Sequence, residues 1–293
     1  MTTPHIGYKR MVVGLPQSSV QSGAVATVAD LAELLRMDVL ATFVTEATLP
    51  SLAASTAVRE LRGASQGWQT IDPLQLNLEF DRAAAAARRS FTEATRNLSV
   101  NASFDVISAA ELATSLIRTD DMVAIIEPSH PGERVTRQFT CLLDAATQIA
   151  RAILIVPKRL IRTSGPVMAL ASDPEDASIE VGLKIAAALN EQLLLVTPRA
   201  WPSDENTAAA AERLGVQLKR MIADDFLKRA LSLAEPLPAQ ERLRVVTRKL
   251  VQDDLQKLFS MLRGIPLLMV GAEGTEAAAV RRDSVLAESS ERA

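Results

Sequence analysis

The residues best suited to hold a ligand lie near the end of the chain, where an apolar run meets two glycines. Residues 265–270 (IPLLMV) form the run, and Gly271 and Gly274 follow it, before an alanine-rich segment with a helical pattern. A buried strand that leads through a glycine turn into a helix is the usual layout of a phosphate site in an open α/β sheet. Glycines at such a turn are also explained by backbone geometry alone, so both interpretations stay open.

Three other side chains have a type and a position that suit ligand chemistry. Asp173 is placed to meet a ribose or a metal ion, although an aspartate before a predicted helix is more often its N-cap. Ser284 has a hydroxyl that suits a phosphate, and it also fits as an ordinary polar residue of a helix. His130 is a candidate general base, but no nucleophile lies at a recognisable spacing from it, which favours a loop residue.

The few cysteine and histidine residues limit the chemistry that this sequence offers. Cys141 is the only cysteine, which excludes an internal disulfide and suggests a reducing compartment. His5 and His130 are the only histidines, so a zinc site of the His/Cys type is not available. The net charge is −3, and no basic stripe with interleaved aromatic residues is present. We therefore expect no metal and no nucleic acid among the ligands.

The hydropathy of the sequence indicates a globular protein. Hydrophobic residues make up 48% of the 293 residues and aromatic residues only 3%, so Ala, Val, Leu and Ile must fill the cores. No apolar run approaches the roughly 20 residues needed to cross a bilayer. The first ten residues, MTTPHIGYKR, lack the apolar core of a signal peptide. We expect a cytoplasmic protein that does not contact a membrane.

Short apolar runs alternate with helical patterns in the first half of the chain. The runs predicted as buried strands are KRMVVGL, DVLATFVT, FDVISA, MVAII and AILIV. This alternation indicates βαβ units and a parallel sheet with helices on both faces. Right-handed crossovers then leave few topologies for such a sheet.

The pattern restarts after a polar linker, residues 158–165. PVMALA and QLLLVT echo the first two strands, RLRVVT then matches FDVISA, and LLMV matches MVAII. Residues 216–222 read as a short strand inside an irregular segment, and no counterpart of AILIV follows. We predict two domains, residues 1–160 and 161–293, called the first and second halves below. The second sheet should lack its fifth strand and have an open edge.

The order of these elements resembles the universal stress protein family, here as a tandem pair that covers nearly the whole chain. The best local matches are VVGLPQSSVQSGAVATVADLAELLRMDVLATFV and VMALASDPEDASIEVGLKIAAALNEQLLLV. The resemblance implies, in each half, a flavodoxin-like and Rossmann-like (adenine nucleotide α-hydrolase-like) sheet with strand order 3-2-1-4-5. It also implies dimers joined through the fifth strand and, in one subset, ATP at the carboxyl ends of strands one and four.

The ATP-binding subset carries G-x2-G-x9-G-[ST] after strand four and an aspartate at the end of strand one. Gly271 and Gly274 match the first two glycines, and Ser284 stands at the third or, with a one-residue deletion, at the hydroxyl position. Ala171 takes the place of the aspartate, with Asp173 two residues on. The resemblance implies a motif that is degenerate in the second half and lost in the first, where its positions hold Pro16, Glu127, His130, Thr140 and Cys141.

These patterns predict a non-catalytic stress-response or regulatory protein. ATP or another adenine nucleotide would be held by the second half alone, through Gly271, Gly274, Ser284 and Asp173. The alternative is an interaction protein that has lost nucleotide binding and dimerises. An enzyme would need a complete phosphate loop with a nucleophile or a metal site, and the sequence offers neither. In each case we expect the two halves to pack as a pseudo-dimer, and a homodimer of whole chains stays open.

Overall fold

A computed structural model describes residues 7–15, 22–45, 59–61, 67–108, 111, 117–128, 136–198, 205–222, 240–250 and 264–271. The elements of the first half are β1 (Arg10–Leu15), α1 (Ser22–Leu34), β2 (Asp38–Thr45), β3 (Arg59–Leu61), β4 (Trp68–Thr70), α2 (Pro73–Thr95), β5 (Ala102–Ser108), β6 (Asp121–Ile126), α3 (Arg137–Ile149) and β7 (Ala152–Val156). Those of the second half are β8 (Val167–Leu170), α4 (Ala177–Leu189), β9 (Leu193–Thr197), α5 (Glu205–Leu214), β10 (Leu218–Ile222), β11 (Leu243–Thr247), a 3-10 turn (Arg248–Leu250) and β12 (Leu267–Val270).

Ten of the strands form one sheet, in the order β10-β9-β8-β11-β12-β7-β6-β1-β2-β5. Neighbouring strands run parallel except at the centre, where β12 and β7 pair antiparallel. We call this central pair the seam. The strands β3 and β4 form a separate antiparallel hairpin. The predicted α/β fold with a mostly parallel sheet is therefore confirmed.

The prediction that the second half lacks its fifth strand is wrong. The first half has the order β5-β2-β1-β6-β7 and the second the order β10-β9-β8-β11-β12, so both follow 3-2-1-4-5. The segment read as a minor strand is the third strand, β10, because it pairs with β9 over five residues. β11 is consequently the fourth strand and β12 the fifth. The division at residue 160 stays a prediction.

The core lies in two layers, one on each face of the sheet. Successive residues of β1 alternate between them, with Met11 and Val13 in one layer and Val12 in the other. Helices α1, α2, α4 and α5 pack on the first layer and α3 on the second. Strands buried on both faces explain why the sequence shows continuous apolar runs rather than alternation. The first layer holds residues of both halves, such as Met11 and Leu268, so the halves share one core.

Close packing of α3 on the sheet depends on a glycine in β1. A Cβ added at Gly14 would collide with the side chain of Leu142, which lies in α3.

Among the described helices, none combines the length and apolar character needed to cross a membrane.

Candidate functional site

In a doubly wound sheet, a ligand binds outside the carboxyl ends of the strands, where the chain order reverses. In the second half this point lies between β8 and β11, which are neighbours in the sheet. Ala171, Ser172 and Asp173 follow β8 there, Thr247 ends β11, and Arg248 follows it. The candidate site is built from these residues.

The carboxylate of Asp176 joins three elements at this crevice. Its Oδ1 accepts a hydrogen bond from the backbone N of Ser178 at 3.0 Å and so caps α4. Its Oδ2 accepts from the backbone N of Ser172 at 3.0 Å and from the hydroxyl of Thr247 at 3.4 Å. Asp176 is buried, and these donors satisfy both oxygens of its carboxylate.

Sequence reasoning missed Asp176 and assigned the N-cap of this helix to Asp173. Asp173 instead stabilises the turn before the helix, because its Oδ1 accepts from the backbone N of Glu175 at 3.1 Å. Its Oδ2 accepts from the hydroxyl of Ser172 at 3.2 Å, and the side chain is exposed. The acidic run D-P-E-D could have suggested Asp176, which lies directly before the first helical residue. The role of Asp173 toward a ribose or a metal ion stays a prediction.

Gly271 follows β12 with a φ of +136°, a conformation that favours glycine. The backbone N of Arg248 would lie 3.8 Å from an added Cβ, so conformation and not space requires the glycine. The turn follows the fifth strand, whereas the resemblance implied a loop after the fourth. This assignment of Gly271 to the position after strand four is therefore wrong, while its role as a ligand residue stays a prediction. Gly274 and Ser284 lie outside the described residues.

The fourth strand of the second half leads into a segment of a different kind. After β11 the chain continues as Arg248–Leu250 in a 3-10 turn, and residues 248–263 contain no glycine. Arg248 donates through Nη1 to the carbonyl of Thr147 at 2.8 Å and through Nη2 to that of Ala150. Both carbonyls belong to the end of α3, which has no basic residue in its last turn. Arg248 thus supplies a positive charge to the negative end of a helix in the other half.

The corresponding end of the first half holds an acidic residue. Glu127 directly follows β6, and its side chain is buried. Its backbone N donates to the carbonyl of Val156 at 2.8 Å, and its Oε2 accepts from the backbone N of Lys158 at 3.1 Å. A carboxylate at this point places negative charge where a phosphate would have to approach.

The other first-half motif positions do not assemble into a site within the described residues. Thr140 and Cys141 lie inside α3, where the Thr140 hydroxyl donates to the carbonyl of Thr136 at 3.2 Å. Pro16 and His130 fall outside the described residues. Within the part of the chain that the structure describes, no group of three or more His, Cys, Asp or Glu residues is arranged to hold a metal ion.

Tyr8, just before β1, lies close to the carboxyl end of the second half. Burial raises the pKa of its phenol above the ordinary value of 10.0, while the positive charges of Arg248 and Arg151 lower it and Glu180 raises it. One tyrosine of the first half therefore feels charges from both halves.

The comparisons with known proteins bear on the fold. No family model matches the chain, and no curated protein matches it. Among solved structures, it is similar to a universal stress protein from Archaeoglobus fulgidus DSM 4304, with a TM-score of 0.59 and 9% sequence identity. The match covers 91% of this chain and 97% of that chain. At this identity the likeness shows a shared fold.

Proposed function

We propose that this chain is a non-catalytic regulatory protein of the universal stress type, built as a fused dimer of two similar halves. Any adenine nucleotide is held by the second half alone. The observation that carries this proposal is the chemical difference between the two carboxyl ends. Glu127 occupies the end of the first half, whereas Arg248 and the glycine turn at Gly271 lie at the end of the second.

The hydroxyls of Ser172 and Thr247, in the crevice between β8 and β11, support a binding role rather than a catalytic one. The Thr247 hydroxyl donates to the carboxylate of Asp176 at 3.4 Å, and the Ser172 hydroxyl shares its one proton between Asp173 and Asp176, each at 3.2 Å. A hydroxyl becomes a nucleophile when a general base can take its proton and hand it on, and a carboxylate engaged in helix capping is poorly suited to that task. The polar groups here stabilise the joint between β8, α4 and β11.

A second candidate is an interaction protein that no longer binds a nucleotide. The position of the glycine turn favours it, because Gly271 follows the fifth strand and lies beside the seam instead of in the β8–β11 crevice. In this case the continuous ten-stranded sheet would present surfaces to a partner, and the two halves would serve each other as the dimer partner.

A thermal-shift titration with ATP, ADP and AMP in the presence of magnesium separates the two candidates. Ligand at one hundred times its Kd raises the free energy of unfolding by about 2.7 kcal/mol, which increases Tm by several degrees. We expect this rise in the wild type and its loss in Gly274→Asp. Gly67→Asp is the control, because nothing lies within 4 Å of a Cβ added at Gly67. Its φ of +68° should lower the Tm without ligand, so the comparison is of the rise in Tm that the nucleotide causes. No shift at millimolar nucleotide would leave the interaction protein as the answer, and ATP turnover would overturn the non-catalytic assignment.

A further inference from the structure

We propose that the seam carries a phosphate-binding site shared by the two halves, formed by Arg151 of the first half with Arg248 and Gly271 of the second. This inference changes the proposed function in one respect, because Arg151 of the first half joins a site at the carboxyl end of the second. It rests on the proposed function only for the identity of the ligand as a nucleotide. The shared chemistry is a phosphate or pyrophosphate group.

The strand register brings these three residues together. Val270 pairs with Thr247 on one side and with Ala152 on the other. One step further along β12, Gly271 therefore lies between Arg248, which follows Thr247, and Arg151, which precedes Ala152. The positive φ of Gly271 and the absence of a side chain let the backbone approach an anion at this point.

Among the described residues, the acids nearest to the two arginines have partners of their own. Asp121, at the amino end of β6, receives hydrogen bonds from Arg10 at 3.0 and 2.6 Å and from the backbone N of Arg118 at 2.8 Å. Asp120 pairs with Lys9 at 3.4 Å, and Glu180 with Lys184 at 2.6 Å. Asp176 accepts from the residues around it, as described above.

Arg248 is held in place by its hydrogen bonds to the end of α3, whereas Arg151 is exposed to solvent. Two guanidinium groups with a glycine between them suit an oxyanion of phosphate geometry, because guanidinium groups can bind phosphate bidentately. Tyr8 packs against the first core layer, and the positive charges of both arginines lower the pKa of its phenol.

The opposite end of the seam lacks this chemistry. There, Ile155 pairs with Leu267 and Ile126 with Val156, so Pro157 lies between Ile265 and Glu127. Pro157, Ile265 and Glu127 stand at the positions that Gly271, Arg151 and Arg248 hold at the other end. The two halves thus differ at the very positions that their shared topology makes equivalent, which confines the site to one end.

Isothermal titration calorimetry at low salt tests the site, with pyrophosphate, ATP and adenosine as probes. The variant is Arg151→Gln, and Arg89→Gln is the matched control, because Arg89 is an exposed arginine on α2, remote in the sheet order from the seam. Loss of one charge-assisted contact should weaken both pyrophosphate and ATP about tenfold in Arg151→Gln. Arg89→Gln should bind like the wild type.

The outcomes separate this inference from the proposed function. If ATP binds the wild type and Arg151→Gln equally, the shared site is overturned and a nucleotide elsewhere in the second half remains. If pyrophosphate binding depends on Arg151 but ATP binds no tighter, the shared site stands and the adenine assignment fails. Absence of binding by both pyrophosphate and ATP overturns the site and the nucleotide together.

Discussion

Asp176 shows how one buried carboxylate organises the crevice of the second half. Replacement by alanine removes the cap of α4 and leaves the backbone N of Ser172 and the Thr247 hydroxyl without their acceptor. We expect Asp176→Ala to lower the free energy of unfolding by about 2–4 kcal/mol, measured by urea denaturation. Asp173→Ala is the control, since that exposed carboxylate serves only its own turn. Equal losses in both variants would contradict the role assigned to Asp176.

Tyr8 offers a direct optical probe of the arginine pair, because it is the only tyrosine in the chain. Burial raises the pKa of its phenol, and Arg248 and Arg151 partly offset that rise. Absorbance at 295 nm should therefore show titration above pH 10.0 in the folded protein. In Arg151→Gln the pKa should rise further, whereas Arg89→Gln should leave it unchanged.

The raised pKa of Tyr8 also makes the stability of the protein depend on pH. A folded-state pKa above the unfolded one means that the native state holds its proton more tightly, so its contribution to stability is complete below the unfolded value. That contribution is lost as the pH rises through the folded value. We expect the free energy of unfolding to decline above pH 10.0 in the wild type and less so in Tyr8→Phe.

At the scale of elements, the end of α3 is completed by a residue from the other half. Arg248→Ala should destabilise the protein by about 2–3 kcal/mol, because two carbonyls lose a charged donor. Lys249→Ala is the matched control, since Lys249 is the exposed neighbour of Arg248. Chemical denaturation of both variants measures the difference, and a loss below about 0.5 kcal/mol in Arg248→Ala would refute the contact.

The sequence predicts where strands occur along the chain, but it does not predict which position each strand takes in the sheet. Apolar runs such as VMAL and LRVVT indicated buried strands correctly, because burial on both faces leaves a signal in each residue. The choice of the neighbouring strand leaves no such signal in the sequence. Residues 68–70 pair only within a hairpin, whereas residues 218–222 join the main sheet, and both look like short strands between helices. The interpretation of residues 216–222 as a short strand inside an irregular segment shifted each later strand of the second half by one position and placed Gly271 after the fourth strand.

The candidate site could be predicted only in part, because pairing between distant strands is not visible in the sequence. Gly271 stood out because glycine after an apolar run indicates a turn with a positive φ. Arg151 and Arg248 did not, because their proximity depends on the antiparallel seam, which joins segments about one hundred residues apart. Contacts of that range follow from topology and are not visible as a local motif.

At the scale of the whole molecule, the seam makes one sheet and one shared core from two halves. Separated fragments 1–160 and 161–293 would each expose a central strand and the apolar surface around it. We expect the two fragments to co-purify as a one-to-one complex when they are expressed together, measured by light scattering after gel filtration. Two independently soluble monomers would contradict a shared core and would favour separate domains.

We propose that any ligand binds at one end of this asymmetric molecule, and the stoichiometry of ATP binding tests this proposal most directly. Calorimetric titration of the whole chain with ATP and magnesium should give one site per chain, because the carboxylate of Glu127 at the equivalent position of the first half should disfavour an anion. Two sites per chain would contradict the account by showing that the first half still binds. No binding would contradict it equally and leave a protein that acts through its surfaces alone.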